Sequence, residues 1–138
     1  MGAFKKYLGN VKGGAKIRGV TWKLTDAEVL EITKKNCVYC GSEPMTKVLY
    51  KQPKQFGSAL FSYTYNGIDR LNSNGAYEIG NVVPCCGFCN RAKREFSVAE
   101  LERWLTRVAK NLGSQVSRVP GIGGGFISPI NLVKTNLD

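Results

Sequence analysis

Histidine is absent from all 138 residues, so no imidazole is present to ligate a metal or move a proton. Acidic side chains are scarce too: ten Asp and Glu stand against twenty Lys and Arg, for a formal charge of +10 and a pI near 9.6. Residues 1–24 contain none. No apolar run approaches the roughly 18–20 residues needed to cross a bilayer, and no apolar h-region follows the early lysines. A membrane-spanning or secreted chain is therefore not expected; the sequence predicts a soluble, cytoplasmic protein with no membrane partner. A hydrophobic content of 43% with 10% aromatic residues excludes disorder, and the length suits one domain with a modest core. So basic a balance favours a polyanionic partner, nucleic acid ahead of an anionic membrane.

Five cysteines are present, and four stand as Cys37-x-x-Cys40 and Cys86-x-x-Cys89. In a reducing compartment two such knuckles read as a four-thiolate structural zinc site, against the alternative of two disulfides. Cys85 adjoins the second knuckle; Cys86 is preferred because it keeps the two-residue spacing to Cys89. Such a site can supply on the order of 10 kcal/mol of folding energy.

The basic segment 1–24 carries Lys5, Lys6, Lys12, Lys16, Arg18 and Lys23. Phe4 to Arg18 could be helical, although Gly9, Gly13 and Gly14 each cost about 1 kcal/mol relative to alanine. It reads either as a solvated tail or as an arm that tracks a phosphate backbone, docked through Phe4, Tyr7 and Trp22. Thr25-Asp-Ala-Glu28 is a capping box, and its helix to about Lys35 directs Val29, Leu30 and Ile32 inward. Tyr39, between the first two thiols, reads as packing around the metal. Lys47 to Lys54 is basic and reads as a surface loop, with a second phosphate contact as the alternative.

The most informative stretch begins with the alternating run Leu60-Phe-Ser-Tyr-Thr-Tyr65, closed by Gly67-Ile-Asp69-Arg70. Asn72-Ser-Asn-Gly75 is turn chemistry, suited to positive φ. A second strand is expected from Tyr77 to Val83, ended by Pro84. Cys86 and Cys89 then open a helix carrying Asn90, Arg91, Lys93 and Arg94. Strand, turn, strand and helix with a metal at the joint form a ββα-metal motif in an α+β fold.

At these residues, from about Phe4 to Leu105, the sequence resembles the HNH endonucleases found among phage and homing nucleases. The resemblance implies that Asp69 is the metal-binding acid, that Asn81 braces the loop and that Asn90 is the ligand borne on the helix. Arg70 stands where that family usually keeps its base histidine. The implied activity is hydrolysis of double-stranded DNA with one divalent cation, Mg²⁺ or Mn²⁺, leaving a 5′ phosphate and a 3′ hydroxyl. Asp69 and Asn90 must then come close enough to share that ion. Arg70 cannot accept a proton near neutral pH but can clamp a phosphate. Tyr63, Tyr65 and Tyr77 are the tyrosines nearest in sequence for the missing base; metal-activated water is the second option, and a module that binds DNA without cutting is the third.

The expected DNA-contacting residues are Lys5, Lys6, Lys12, Lys16 and Arg18 on the arm, with Arg91, Lys93 and Arg94 after the knuckle. Ser97-Val-Ala-Glu100 opens a helix with Val98, Leu101, Leu105, Val108 and Leu112 on one stripe, flanked by Trp104 and read as core; Gly113 is expected to stop it. The organisation is thus an arm over 1–24, an HNH domain over 25–113 and a Gly-rich extension over 114–138. In the extension a hinge at Pro120–Gly125 precedes Phe126–Val133, which packs on the domain or on a second copy, the chain being a monomer or homodimer.

Overall fold

The computed structural model describes residues 2–116; the expected hinge and the apolar stretch after it lie outside them. Helix α1 (Gly2–Ile17) is followed by α2 (Asp26–Thr33), β1 (Thr46–Lys51), a short 3₁₀ turn (Lys54–Phe56), β2 (Leu60–Tyr65), β3 (Gly67–Arg70), β4 (Val82–Cys85), α3 (Gly87–Lys93) and α4 (Val98–Val116). The chain forms two compact units, 1–97 and 98–138.

The glycine-weakened α1 is held by its buried face. Ala3, Tyr7, Leu8 and Ala15 are all buried, and tertiary packing of this kind outweighs poor propensity. Their neighbours are aromatic: Phe4 meets Tyr63 edge-on at 5.1 Å, and Tyr7 lies 4.1 Å from Tyr65 between ring centroids. Leu24, Val29, Ile32, Ile68 and Tyr77 complete the core. Trp22 docks the link after α1, bridging to Tyr77 with ring centroids 4.9 Å apart. The capping box of α2 forms as expected: the Glu28 carboxylate accepts from the Thr25 backbone N–H at 2.7 Å, and Thr25 Oγ1 from Glu28 N–H at 3.3 Å.

Two antiparallel ladders carry the rest. β1 pairs with β2 from Thr46↔Tyr65 to Lys51↔Leu60. The basic run expected to be a loop is therefore a strand, because Val48 and Tyr50 turn inward while Lys47, Leu49 and Lys51 turn outward. β3 pairs with β4 from Gly67↔Cys85 to Arg70↔Val82. The second strand thus starts later than expected and includes Pro84, which a two-stranded ladder tolerates because each strand has a free edge. The Pro84 carbonyl accepts from Val38 N–H at 3.0 Å. Gly75 does not take the positive φ expected of the turn; that falls on Gly80. Glycine stands at 75 for room, since a Cβ there would lie 2.6 Å from Asn81 Nδ2.

In the second unit, α4 runs on through Gly113. Trp104, Leu105 and Leu112 are exposed, so reading the whole stripe as core is corrected. No helix among the described residues is long and apolar enough to cross a membrane.

The aromatic core supplies a paired prediction. Tyr63 Oη shares a hydrogen bond with Thr33 Oγ1 at 2.5 Å, whereas the buried Tyr7 hydroxyl has no hydrogen-bonding partner among the described residues. Tyr63→Phe is expected to cost about 1 kcal/mol in urea unfolding, and Tyr7→Phe to cost nothing or to stabilise slightly.

Candidate active site and metal centre

The thiols of Cys37, Cys40, Cys86 and Cys89 all lie within 4.8 Å of one another. All five cysteines are free, so the disulfide alternative does not hold here. Cys85 is buried and turns its thiol to the Cys86 carbonyl at 3.4 Å, which leaves Cys86 as the second-knuckle donor. Cys86 is also the N-cap of α3, its sulfur accepting from Cys89 N–H at 3.3 Å. Burial pushes the Cys86 thiol up, but hydrogen bonds from the Cys89 backbone and side chain, and from Cys40 and Ser42, bring it down to about 7. Four convergent thiols with one poised to ionise fit a tetrahedral thiophilic ion such as zinc. Buried Asn66 braces the first knuckle from both sides, its Nδ2 donating to Lys35 O at 3.0 Å and Ser42 O at 3.1 Å.

Beside the knuckle, β3 delivers Asp69 with only 6% of its surface exposed. Tyr39 Oη donates to Asp69 Oδ2 at 2.6 Å. Lys93 Nζ lies 3.2 Å from Oδ2 and 3.4 Å from Oδ1, and also donates to the Arg70 carbonyl at 3.0 Å. Lys93 is wholly buried; its expected role as a DNA contact is corrected, because its ammonium faces inward to the carboxylate. Asn90 stands one turn earlier on α3, exposed, on the neighbouring part of the same face. Asp69 and Asn90 are each oxygen donors of the kind a hard cation takes; the Asp69 carboxylate is held by Tyr39 and Lys93.

Tyr39, first read as packing, is the tyrosine at the carboxylate. Burial and the hydrogen bond to Asp69 push its pKa far up, so its hydroxyl keeps its proton through the neutral range. Tyr63 and Tyr65 instead belong to the aromatic core. Tyr77 is buried, with its hydroxyl accepting from Arg18 at 3.2 Å. None of the three tyrosines nearest in sequence reaches the site as expected. No local signal marks Tyr39, whose partner is 30 residues away.

Arg70 points back into the turn: Nη1 donates to Gly75 O at 2.6 Å and the guanidinium lies 5.1 Å from the Tyr77 ring centroid. Asn81 lies at the entry to β4. Its Nδ2 donates to Asn72 O and Ala76 O at 3.1 and 2.9 Å, and its Oδ1 accepts from Asn72 N–H at 2.9 Å, so the side chain spans the loop.

Of the expected DNA contacts, Lys5, Lys6, Lys16, Arg18, Arg91 and Arg94 are exposed. Lys12 is paired with Asp26 at 2.8 Å, Lys6 donates to Leu49 O at 3.0 Å and Arg18 is held on Tyr77. Arg94 ends α3 with φ of +50°, where glycine would be easier. Arg94→Gly is therefore expected to raise the stability of the fold by about 1 kcal/mol in denaturant melts.

No family model matches the sequence. Over 93 residues, 67% of the chain, it is 32% identical to an uncharacterised protein of Acanthamoeba polyphaga mimivirus, and it spans only 14% of that protein's length. The structure is similar to that of PacI, a rare-cutting HNH restriction endonuclease, with a TM-score of 0.53 and 20% sequence identity over 81% of this chain and 80% of that one. Over that span the chain shares the fold of this HNH endonuclease, and its four clustered cysteines could hold a metal ion.

Proposed function

We propose that this chain is an HNH-type endonuclease that hydrolyses phosphodiester bonds of double-stranded DNA with one divalent cation, Mg²⁺ or Mn²⁺, beside a structural zinc. The observation that carries the reading is Asp69, a nearly buried carboxylate on the hairpin of an HNH fold, facing the helix that bears Asn90. In this reading Asp69 and Asn90 hold the cation, which supplies charge neutralisation as negative charge grows on the phosphate. Asn81 keeps the 71–76 loop in shape. Tyr39 fixes one oxygen of Asp69 and holds its proton there, and Lys93 fixes the carboxylate from the other side. Arg70 braces the turn, one residue from the acid. Arg91 and Arg94, exposed around the end of α3, suit phosphate contacts, and the energetic cost of Arg94 at positive φ supports a use for its side chain.

Plasmid nicking in Mg²⁺ or Mn²⁺ tests the proposal. The parent should convert supercoiled DNA, Asp69→Ala should lose at least about a hundredfold of that rate, as expected for an essential group, and Arg94→Gly should weaken DNA binding. A parent that binds duplex but cuts nothing over a range of pH and both ions would leave only a binding module.

A further inference from the structure

The β1–β2 ribbon is absent from the site described above, yet it leads straight into it. β2 ends at Tyr65, and one residue later β3 begins the strand that carries Asp69. One face of the ribbon packs its tyrosines on α1. The other face sets Lys47 opposite Thr64, Leu49 opposite Ser62 and Lys51 opposite Leu60. Leu49 is 51% exposed and Leu60 67%. Lys54 follows in the tip, beside Phe56, which is 71% exposed. Between Glu43 and Asp69 there is no acidic residue at all.

We propose that this outward face is a groove-reading ribbon for duplex DNA. A two-stranded antiparallel ribbon is one of the two elements that a major groove, about 12 Å wide, admits. The chemistry of the face matches what a groove displays: leucines for thymine methyl groups, hydroxyls that accept or donate to base edges, and lysines for guanine edges or the flanking phosphates. Positive charge without a single carboxylate makes DNA the complementary partner, ahead of a second copy of so basic a chain. A strand of six residues extends about 20 Å, which is about 6 base pairs at roughly 3.4 Å per step. The inference takes its partner from the nuclease reading but does not depend on cleavage.

Binding of fluorescent duplexes, measured with neither Mg²⁺ nor Mn²⁺ added, tests it. The triple variant Lys47→Ala, Lys51→Ala, Lys54→Ala should lose at least tenfold in affinity, and its plot of log K against log salt should flatten by about 2–3, as expected when three phosphate contacts are lost. Leu49→Ser with Leu60→Ser should leave the salt slope alone but change which duplexes are recovered from a random pool. The ribbon proposal is overturned if the triple variant matches the parent in slope and affinity, or if the leucine variant selects the parent's sites. It is equally overturned if the leucine variant merely converts a dimer to a monomer. A parent that binds through the ribbon and cuts nothing sinks the hydrolysis while leaving the ribbon standing.

Discussion

Cys89→Ser, or prolonged exposure to a strong zinc chelator, is expected to unfold residues 26–94, with loss of the cooperative thermal transition. The four thiols come from two segments, one after α2 and one at the start of α3, 46 residues apart between Cys40 and Cys86. Besides the polar chain from Tyr39 through Asp69 to Lys93, few contacts join these segments. The Pro84 carbonyl bonds Val38 N–H, and Asn66 bonds the loop around Ser42; at about 1 kcal/mol each they cannot replace an ion. Structural zinc supplies on the order of 10 kcal/mol, as much as the whole stability of a typical domain, about 5–15 kcal/mol. Losing it therefore leaves no net stability to divide among the remaining contacts.

The control is Cys85→Ala. Cys85 is buried next to the knuckle but lies outside the four-thiol cluster. Its replacement should cost a core-substitution amount, about 1 kcal/mol, and leave one zinc per chain by elemental analysis. Protons compete with the metal for the thiolates, so chelation should proceed faster as pH falls. Equal metal content and equal melting for Cys89→Ser and the parent would remove the thiols from any metal role.

What could be read from the residues divides along a physical line. The capping box at Thr25 and Glu28 and the spacing of the four cysteines depend on near neighbours or on fixed ligand chemistry, and each is legible in the sequence. The bracing by Asn81 is implied only by the family resemblance, its partners Asn72 and Ala76 lying nine and five residues away. Lys47 to Lys51 shows no period-two pattern, because Val48, Leu49 and Tyr50 are consecutive apolar residues between lysines; the alternation appears only in burial, with Val48 and Tyr50 inward. Pro84 suggested a strand end because a central strand would need its donor; an outer edge does not. Tyr39 and Lys93 escape the local pattern for one shared reason. Their partner is the same carboxylate, 30 and 24 residues away, and nothing in local pattern tells a lysine on a solvated face from one turned inward. The α4 stripe shows the converse: helical periodicity predicts an apolar face, but not that anything covers it.

The buried pair Lys93–Asp69 carries the other large expected effect. The two charges lie 3.2 Å apart with side-chain exposures of 0% and 7%. Removing either partner strands the other in the interior, a loss of about 3–5 kcal/mol. Asp69→Ala should therefore show a markedly lower urea midpoint as well as lost cleavage, and inactivity alone would be ambiguous between chemistry and folding. Lys93→Met should destabilise by a similar amount. The double variant Asp69→Ala with Lys93→Met removes both charges together, so its loss should fall short of the sum of the single losses by about 1–3 kcal/mol. That recovered stability separates the two roles of the acid: a refolded double variant that fails to nick DNA, where folded Lys93→Met alone still nicks, assigns Asp69 to the reaction. Lys93→Met examined at a temperature where it is folded gives the complementary result. With the ammonium gone, Asp69 is an uncompensated carboxylate, and Mn²⁺ titrated in the absence of DNA should bind more tightly than to the parent. Unchanged Mn²⁺ affinity in that variant would mean that the cation does not share Asp69 with Lys93.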